Sequence, residues 1–327
     1  MRRTTVGRGE LWAAAAALCY TLSNLFLRAA ALHVGQVVAT LLQVLPLWTL
    51  SVLVLAAGRR RRSQFLAGTP GFVGWLPLGL AVLSGLVVYA VGNPVFVEAI
   101  KRGGVVIAVP VVQTSVVWGA LIGAFVLDEA LSRRLGLGLA VFVLGLGSLS
   151  WGQVLAVGLG SGWITAIPLA ALSALTWGIS SVVTRKALRA GLDRFSALAV
   201  STSVGVLTLS GYLAVTGSLG QYGAIEARDV WFLLGAGLMN AGAQVCLVTA
   251  LSSTRVSTVT AINASSLGLV TIGAHVVFGE ALNPPIILAV ILIFAGIILS
   301  QGRGGKMTGG TSGRGRATER PTGRETR

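Results

Sequence analysis

Ten apolar runs of about 20 residues each, separated by short links, constrain this chain more than any other feature. They lie at 11–31, 34–57, 72–97, 104–127, 135–155, 163–187, 195–216, 229–250, 256–279 and 284–301. Wound as an α-helix, a run of that length matches the roughly 30 Å hydrocarbon core of a bilayer. In lipid only helices and closed barrels satisfy their own backbone hydrogen bonds. Charged residues make up 11% of the chain and collect between the runs, against about 25% in a soluble domain. A charge at the middle of a span costs roughly 2.5–3.5 kcal/mol on insertion scales, so this clustering is what the membrane requires. The fold class expected is all-α integral membrane, with ten transmembrane helices and short links that favour antiparallel neighbours. Arg2, Arg3 and Arg8 before the first run also fit a secretory leader. With nine further runs behind it, that run is read as the first span.

The basic residues orient the bundle. With the N-terminus on the cytoplasmic side and sides alternating through ten spans, all of the 25 Lys and Arg fall inside except Arg28, Lys101, Arg102 and Arg228. That is the positive-inside bias, and it is lost if one span is added or removed. The expectation is a multi-pass protein of the cytoplasmic membrane with both termini cytoplasmic and membrane lipids as its surroundings. The net charge of +15 follows from the same bias, so nucleic acid is not an expected partner. Cys19 and Cys246 lie inside apolar runs and suggest no disulfide framework. Residues 302–327 are Gly, Thr, Ser and Arg with almost nothing apolar. They bury too little surface to order themselves and are read as a disordered basic tail.

The chain repeats at half its length. Ala17–Ala30 reads against Ala174–Ala187, with Tyr20 on Trp177, Ser23 on Ser180 and Arg28 on Arg185. A second match ends at Leu131 in one half and Leu282 in the other, with Glu129 on Glu280 and Asn93 on Gln244. The domain organisation expected is a cytoplasmic N-terminus (1–10), a first five-helix repeat (11–155), a second (156–301) and the tail. Five spans per half is odd, so the halves enter the membrane in opposite senses as an inverted repeat. Two opposed, similar halves can exchange conformations, and substrate sites in such proteins lie near the midplane between them.

These residues resemble the drug/metabolite transporter superfamily, in particular its EamA-type members with two five-helix repeats. The resemblance rests on Ala174, Trp177 and Gly178 with Arg185 beyond them, on Pro110, and on the Ala-Ile and Ala-Leu pairs that open the fourth and ninth spans. It rests also on the Leu-Asp-Glu-Ala-Leu-Ser and Phe-Gly-Glu-Ala-Leu-Asn-Pro segments that close those spans, and it covers residues 11–301. Tyr20-Thr21 replaces the first-half Trp-Gly, and Ala261 stands where the second half often has Pro. The resemblance implies movement of a small metabolite or drug-like solute by alternating access without ATP, and the expectation is an exporter.

For a solute path, polar and aromatic residues deep in spans are the candidates. They are Asn24, Asn93, Gln113, Trp118, Trp177, Ser181, Asn240, Gln244 and Asn263. An amide in lipid is costly unless it is bonded, so each faces either a wet cavity or a neighbouring helix. Asn93-Pro94 is expected to break the third span locally and free carbonyls near a site. Proton coupling needs a buried carboxylate, and none lies mid-span; Glu98 and His275 are the possible coupling residues. Glu98 is also placed to pair with Lys101, three residues on. Arg28 and Arg185 are expected to snorkel to the interfaces. Gly119 and Gly123, with the Gly-rich stretches 136–147 and 235–242, fit close helix packing and offer a homodimer face. No metal or cofactor is expected, and no enzyme: there is no HExxH, and Gly136-Leu-Gly138 sits within a span, not after a strand. The alternative to a transporter is a lipid scramblase or an accessory membrane subunit.

Overall fold

The computed structural model describes residues 8–126, 133–157, 162–217, 225–253, 266–280 and 282–300. Glu129, Asn263, Ala261 and the tail from 302 lie outside the described residues. Within them the regular structure is helical. In chain order the elements are α1 (Arg8–Ala31), α2 (Gln36–Ala57), the short basic α3 (Arg59–Ser63), α4 (Trp75–Gly85), a π-helical turn (Leu86–Gly92) and α5 (Asn93–Val112). There follow α6 (Ser115–Val126), α7 (Arg133–Val157), α8 (Trp163–Arg189), α9 (Arg194–Val215), α10 (Ala227–Ser253), α11 (Ser266–Phe278) and α12 (Pro284–Ser300).

Among the described residues, six stretches are long and apolar enough to cross a membrane: 9–31, 36–57, 75–123, 163–189, 194–215 and 227–247. Shorter apolar helices occupy 268–278 and 284–296. Large apolar side chains point away from the bundle: Leu207, Val276, Trp231, Phe125 and Val215 are 71–89% exposed. Soluble proteins rarely present so much contiguous apolar surface; in lipid it is the required finish. The protein is a multi-pass membrane protein.

The 49-residue stretch from Trp75 to Gly123 is not one rod. At Gly104 the backbone turns out of the helix, with φ 72° and ψ 175°, on the side of φ that side chains with a Cβ avoid. A Cβ there would stand 2.5 Å from a carboxylate oxygen of Glu280. Earlier in the stretch, Pro94 lacks an N–H and crowds the preceding turn. The helix answers with the wide turn at Leu86–Gly92, a known way to absorb an irregularity. The break expected at Asn93-Pro94 is therefore a π turn within a continuous helix.

The helices pair as α1 with α10, α7 with α12, α5 with α8 and α2 with α9. Lipid supplies no hydrophobic drive between helices, so small residues and close packing hold them. The α1–α10 seam accordingly buries Ala13, Ala16, Ala17 and Ala30 with Ala236, Ala243 and Ala250. Three of the glycines singled out in the sequence, Gly119, Gly145 and Gly237, serve contacts inside the chain, while Gly136 and Gly147 have open space beside them. A Cβ at Gly237 would overlap the Gln43 carbonyl, one at Gly145 would meet Ile293, and one at Gly119 would press on Ser181. Asp193 caps α9, accepting from the Phe195 and Ser196 N–H groups at 3.0 and 3.3 Å, and it supplies the partners that a helix start lacks.

The ion pairs and caps define two faces of the bundle. On the Arg28 face lie the end of α1, the Gly104 turn and the end of α11. On the Arg61 face, α3 is tied to the start of α9 by Arg61–Asp193 at 3.1 Å.

Candidate functional site

Two polar centres and two crevices organise the interior. The first centre joins α5 to α8. The Trp177 indole N–H donates to the Asn93 side-chain oxygen at 3.0 Å, and the Phe96 ring packs edge-on against the indole at 5.3 Å. Ser173 donates to the Gly92 carbonyl at 2.9 Å, next to the π turn. A turn further along α8, the Ser84 hydroxyl meets those of Ser180 and Thr184 at 2.6 and 2.8 Å. Sequence reasoning singled out Asn93 and Trp177 separately; the fold makes them partners.

The second centre was not foreseen. Arg28 does not snorkel: its Nε donates to Glu280 Oε1 at 2.9 Å and its Nη1 to the Ile100 carbonyl at 3.0 Å. The two side chains are only 17% and 12% exposed. The Glu280 carboxylate also accepts the backbone N–H of Val106 at 3.1 Å and that of Val105 at 3.4 Å. These are the first amides after the Gly104 turn, where a restarted helix has unsatisfied donors that favour an anion. Gly104 is thus what lets the carboxylate approach. The signals were present in the sequence: an Arg and a Glu that recur in both halves, and Gly103-Gly104 between two spans.

One crevice, of about 390 Å³, opens on the Arg28 face. It is built from the start of α2 (Gln36, Val37), from Pro94, Val95 and Glu98 on α5, and from the later part of α9 (Thr208, Leu209, Tyr212), with Leu169 behind. The other, of about 110 Å³, lies towards the Arg61 face. It is built from the start of α9 (Arg194, Phe195, Leu198), from Gln244, Val245 and Thr249 on α10, and from the later part of α2 (Leu47, Leu50, Ser51).

The remaining candidates scatter. Asn24 donates to the Tyr20 carbonyl of its own helix at 2.8 Å, while its neighbour Ser23 reaches across to the Ala236 carbonyl at 2.8 Å. Gln113 sits half-buried in the turn between α5 and α6. Trp118 is 39% exposed, its Cβ lying where a side chain at Gly178 would go. Ser181 returns its hydroxyl to the Gly178 carbonyl at 2.8 Å. Asn240 is half-buried on α10, and Gln244 lines the smaller crevice. Glu98 lines the larger one but accepts from Arg102 at 2.6 Å, four residues on, in place of Lys101. His275 Nδ1 meets the Glu280 carbonyl at 2.9 Å, which ties the end of α11 to the segment carrying the carboxylate. Among the described residues no group of three or more His, Cys, Asp or Glu is placed to hold a metal.

Residues 7–151 and 164–301 each match the EamA-like transporter family, one match per half. Among the solved structures 26 chains match. One of them, titled only as the crystal structure of a protein, is 17% identical with a TM-score of 0.52, over 90% of this chain and 96% of its own. At that identity the likeness is one of fold. No curated protein matches.

Proposed function

This chain belongs to the EamA-like transporter family, and from that premise we propose that it exports a small solute across the cytoplasmic membrane by alternating access between two inverted repeats, residues 11–155 and 156–301. On this reading the spans number ten, with the Gly104 turn dividing the third from the fourth. Both termini are cytoplasmic, so the Arg28 face is the outer one.

The observation that carries the proposal is that equivalent residues in the two halves make equivalent contacts. Ser23 and Ser180 align, and each reaches the same place on its partner helix, Ala236 on α10 and Ser84 on α4. Those two positions correspond to within one residue. The crevices exchange in the same way. Gln36 and Arg194 open α2 and α9, and in that register Leu50 falls on Thr208 and Ser51 on Leu209; Glu98 aligns with Thr249 and Pro94 with Val245, and all of them line one crevice or the other. Such a pairing supports two nearly isoenergetic arrangements related by exchange of the halves, the condition for a site to face either side in turn.

The larger crevice falls in the usual size range for a small-molecule pocket, roughly 300–1,000 Å³. Asn93 directly precedes Pro94 and Val95, which line the crevice, and on this reading the Asn93–Trp177 pair is assigned to its inner edge. A single neutral hydrogen bond contributes about 1 kcal/mol net and is readily exchanged for a bond to a solute. The Arg28–Glu280 centre ties α1, α5 and α11 together at the outer face and serves as the contact that must open and close. Asn24, Gln113, Trp118, Ser181, Asn240, Gln244 and Asn263 are assigned to the wall of the path in its other arrangements.

The test is an efflux and resistance screen of an overexpressing strain across amino acids, amines and nucleosides, followed by flux in proteoliposomes. Asn93→Ala and Trp177→Ala are expected to lower flux at least tenfold. Unchanged flux in both variants would overturn the site assignment, and silence across all three solute classes would overturn the transporter reading.

A further inference from the structure

The two crevices share an architecture but differ in sign. At the mouth of the larger one stand Gln36 and Glu98; at the matching positions of the smaller stand Arg194 and Thr249. An acid has gone and a base has been added. The cations around the smaller crevice form a cluster. Arg61 lies 5.2 Å over the ring of Phe195, which lines the crevice, and Arg59 and Arg62 are exposed on the same short helix. Arg194 is exposed and has no hydrogen-bond or ion-pair partner among the described residues. The one acid of the cluster, Asp193, is committed to Arg61 and to the cap of α9.

Behind these cations the walls are mainly apolar, from Leu47, Leu50, Leu198 and Val245, with Gln244 the one amide among them. Of the two hydroxyls there, Ser51 donates to the Trp48 carbonyl at 3.0 Å and meets the Thr202 hydroxyl of α9 at 3.3 Å, and Thr249 donates to the Val245 carbonyl at 2.8 Å. A slit of about 110 Å³ is well below the roughly 300 Å³ at which small-molecule pockets begin. It suits a narrow apolar chain whose head carries negative charge.

We propose that the slit between α2, α9 and α10 holds one acyl chain of an anionic phospholipid from the leaflet on the Arg61 face, with the phosphate on Arg194 and Arg61. Charge complementarity selects the head group, and the apolar walls select lipid over a free anion. The site requires only that the chain sit in a bilayer with this crevice in its narrow arrangement, so it can be tested without a transported solute. Each juxtamembrane Arg contributes about 1 kcal/mol to holding an anionic lipid, which corresponds to about fivefold in affinity.

The experiment uses the full chain purified in a neutral detergent. Thermal unfolding is followed against added dioleoylphosphatidylglycerol, dioleoylphosphatidylcholine or inorganic phosphate. Phosphatidylglycerol is expected to raise the unfolding midpoint, with neither of the other two doing so. In Arg194→Gln the mole fraction of phosphatidylglycerol giving half of that stabilisation should rise about fivefold. Arg59→Gln, which alters a nearby cation that does not line the slit, should leave it within twofold. Val245→Trp, which fills the slit with every charge intact, should abolish the effect. Equal stabilisation by phosphatidylcholine or by inorganic phosphate overturns the proposal, as do equal losses in Arg194→Gln and Arg59→Gln, and so does full stabilisation of Val245→Trp.

Discussion

The Arg28–Glu280 centre and the Asn93–Trp177 pair both join helices from opposite halves of the chain, yet they are built on opposite principles. The first holds two opposite charges, mostly out of water, and satisfies the carboxylate three times over, with Arg28 and two backbone amides. The second spends a single neutral hydrogen bond and a ring contact. A charged group deprived of its partner in such a place is expensive; a neutral one costs about as much as the bond it loses. The first therefore suits an all-or-nothing contact. The second suits a contact that gives way to a solute at little cost.

Substitutions can break that contrast, and the largest effect is expected at Glu280. Glu280→Ala leaves the Arg28 guanidinium and the Val105 and Val106 amides without their acceptor and should lower stability by about 3–5 kcal/mol, read as denaturant unfolding in micelles. Arg28→Ala should cost less, because the carboxylate keeps its two amides; equal losses would mean that the amides contribute nothing. Next comes Gly104→Ala, which adds the positive-φ penalty of about 1–2 kcal/mol to a collision with the carboxylate. Thermal unfolding should place it between the Glu280 and Trp177 variants. Trp177→Phe keeps the ring and removes the N–H donor. It should cost about 1 kcal/mol of stability and still cut flux severalfold, and a variant that loses stability but not flux would make the pair purely structural. The smallest effect is expected at Lys101. It is exposed and, unlike Arg102, forms no ion pair with Glu98, so Lys101→Ala should leave unfolding and flux unchanged within error.

Much of the architecture was legible before any coordinates. Apolar run length identified a membrane protein, and the family match confirmed the resemblance read from the two Glu-Ala-Leu endings and from Trp177-Gly178. Between the runs read as ending at 97 and beginning at 104, the backbone leaves the helix at Gly104, where the absence of a Cβ permits a positive φ. What one dimension hides is convergence. Arg28 sits in the last turn of α1, Ile100 in the turn of α5 before the Gly104 kink and Glu280 just beyond α11, places where sequence alone suggests access to the interface and a snorkelling Arg. Only the packing of three ends at one spot turns them into a shared, half-buried centre. Glu98 teaches the same point on a smaller scale. Lys101 and Arg102 are both within helical reach, and Arg102 takes the carboxylate while its Nη1 also reaches Thr165 at 3.3 Å on α8.

The wide turn at Leu86–Gly92 changes how the helical wheel of this segment must be drawn. An α-helix advances about 100° per residue, so the nine steps from Ser84 to Asn93 would set them on opposite sides of the cylinder. In the structure both reach α8, through Ser180 and Trp177, because the π turn takes up one extra residue and resets the phase. A wheel projected from either end at constant pitch would assign half of this helix to the wrong neighbour. The matching stretch of α10 is regular α-helix, so in this respect the two halves are not copies. Shortening the first-half turn by one residue would bring the wheels back into step and rotate Asn93 away from the indole.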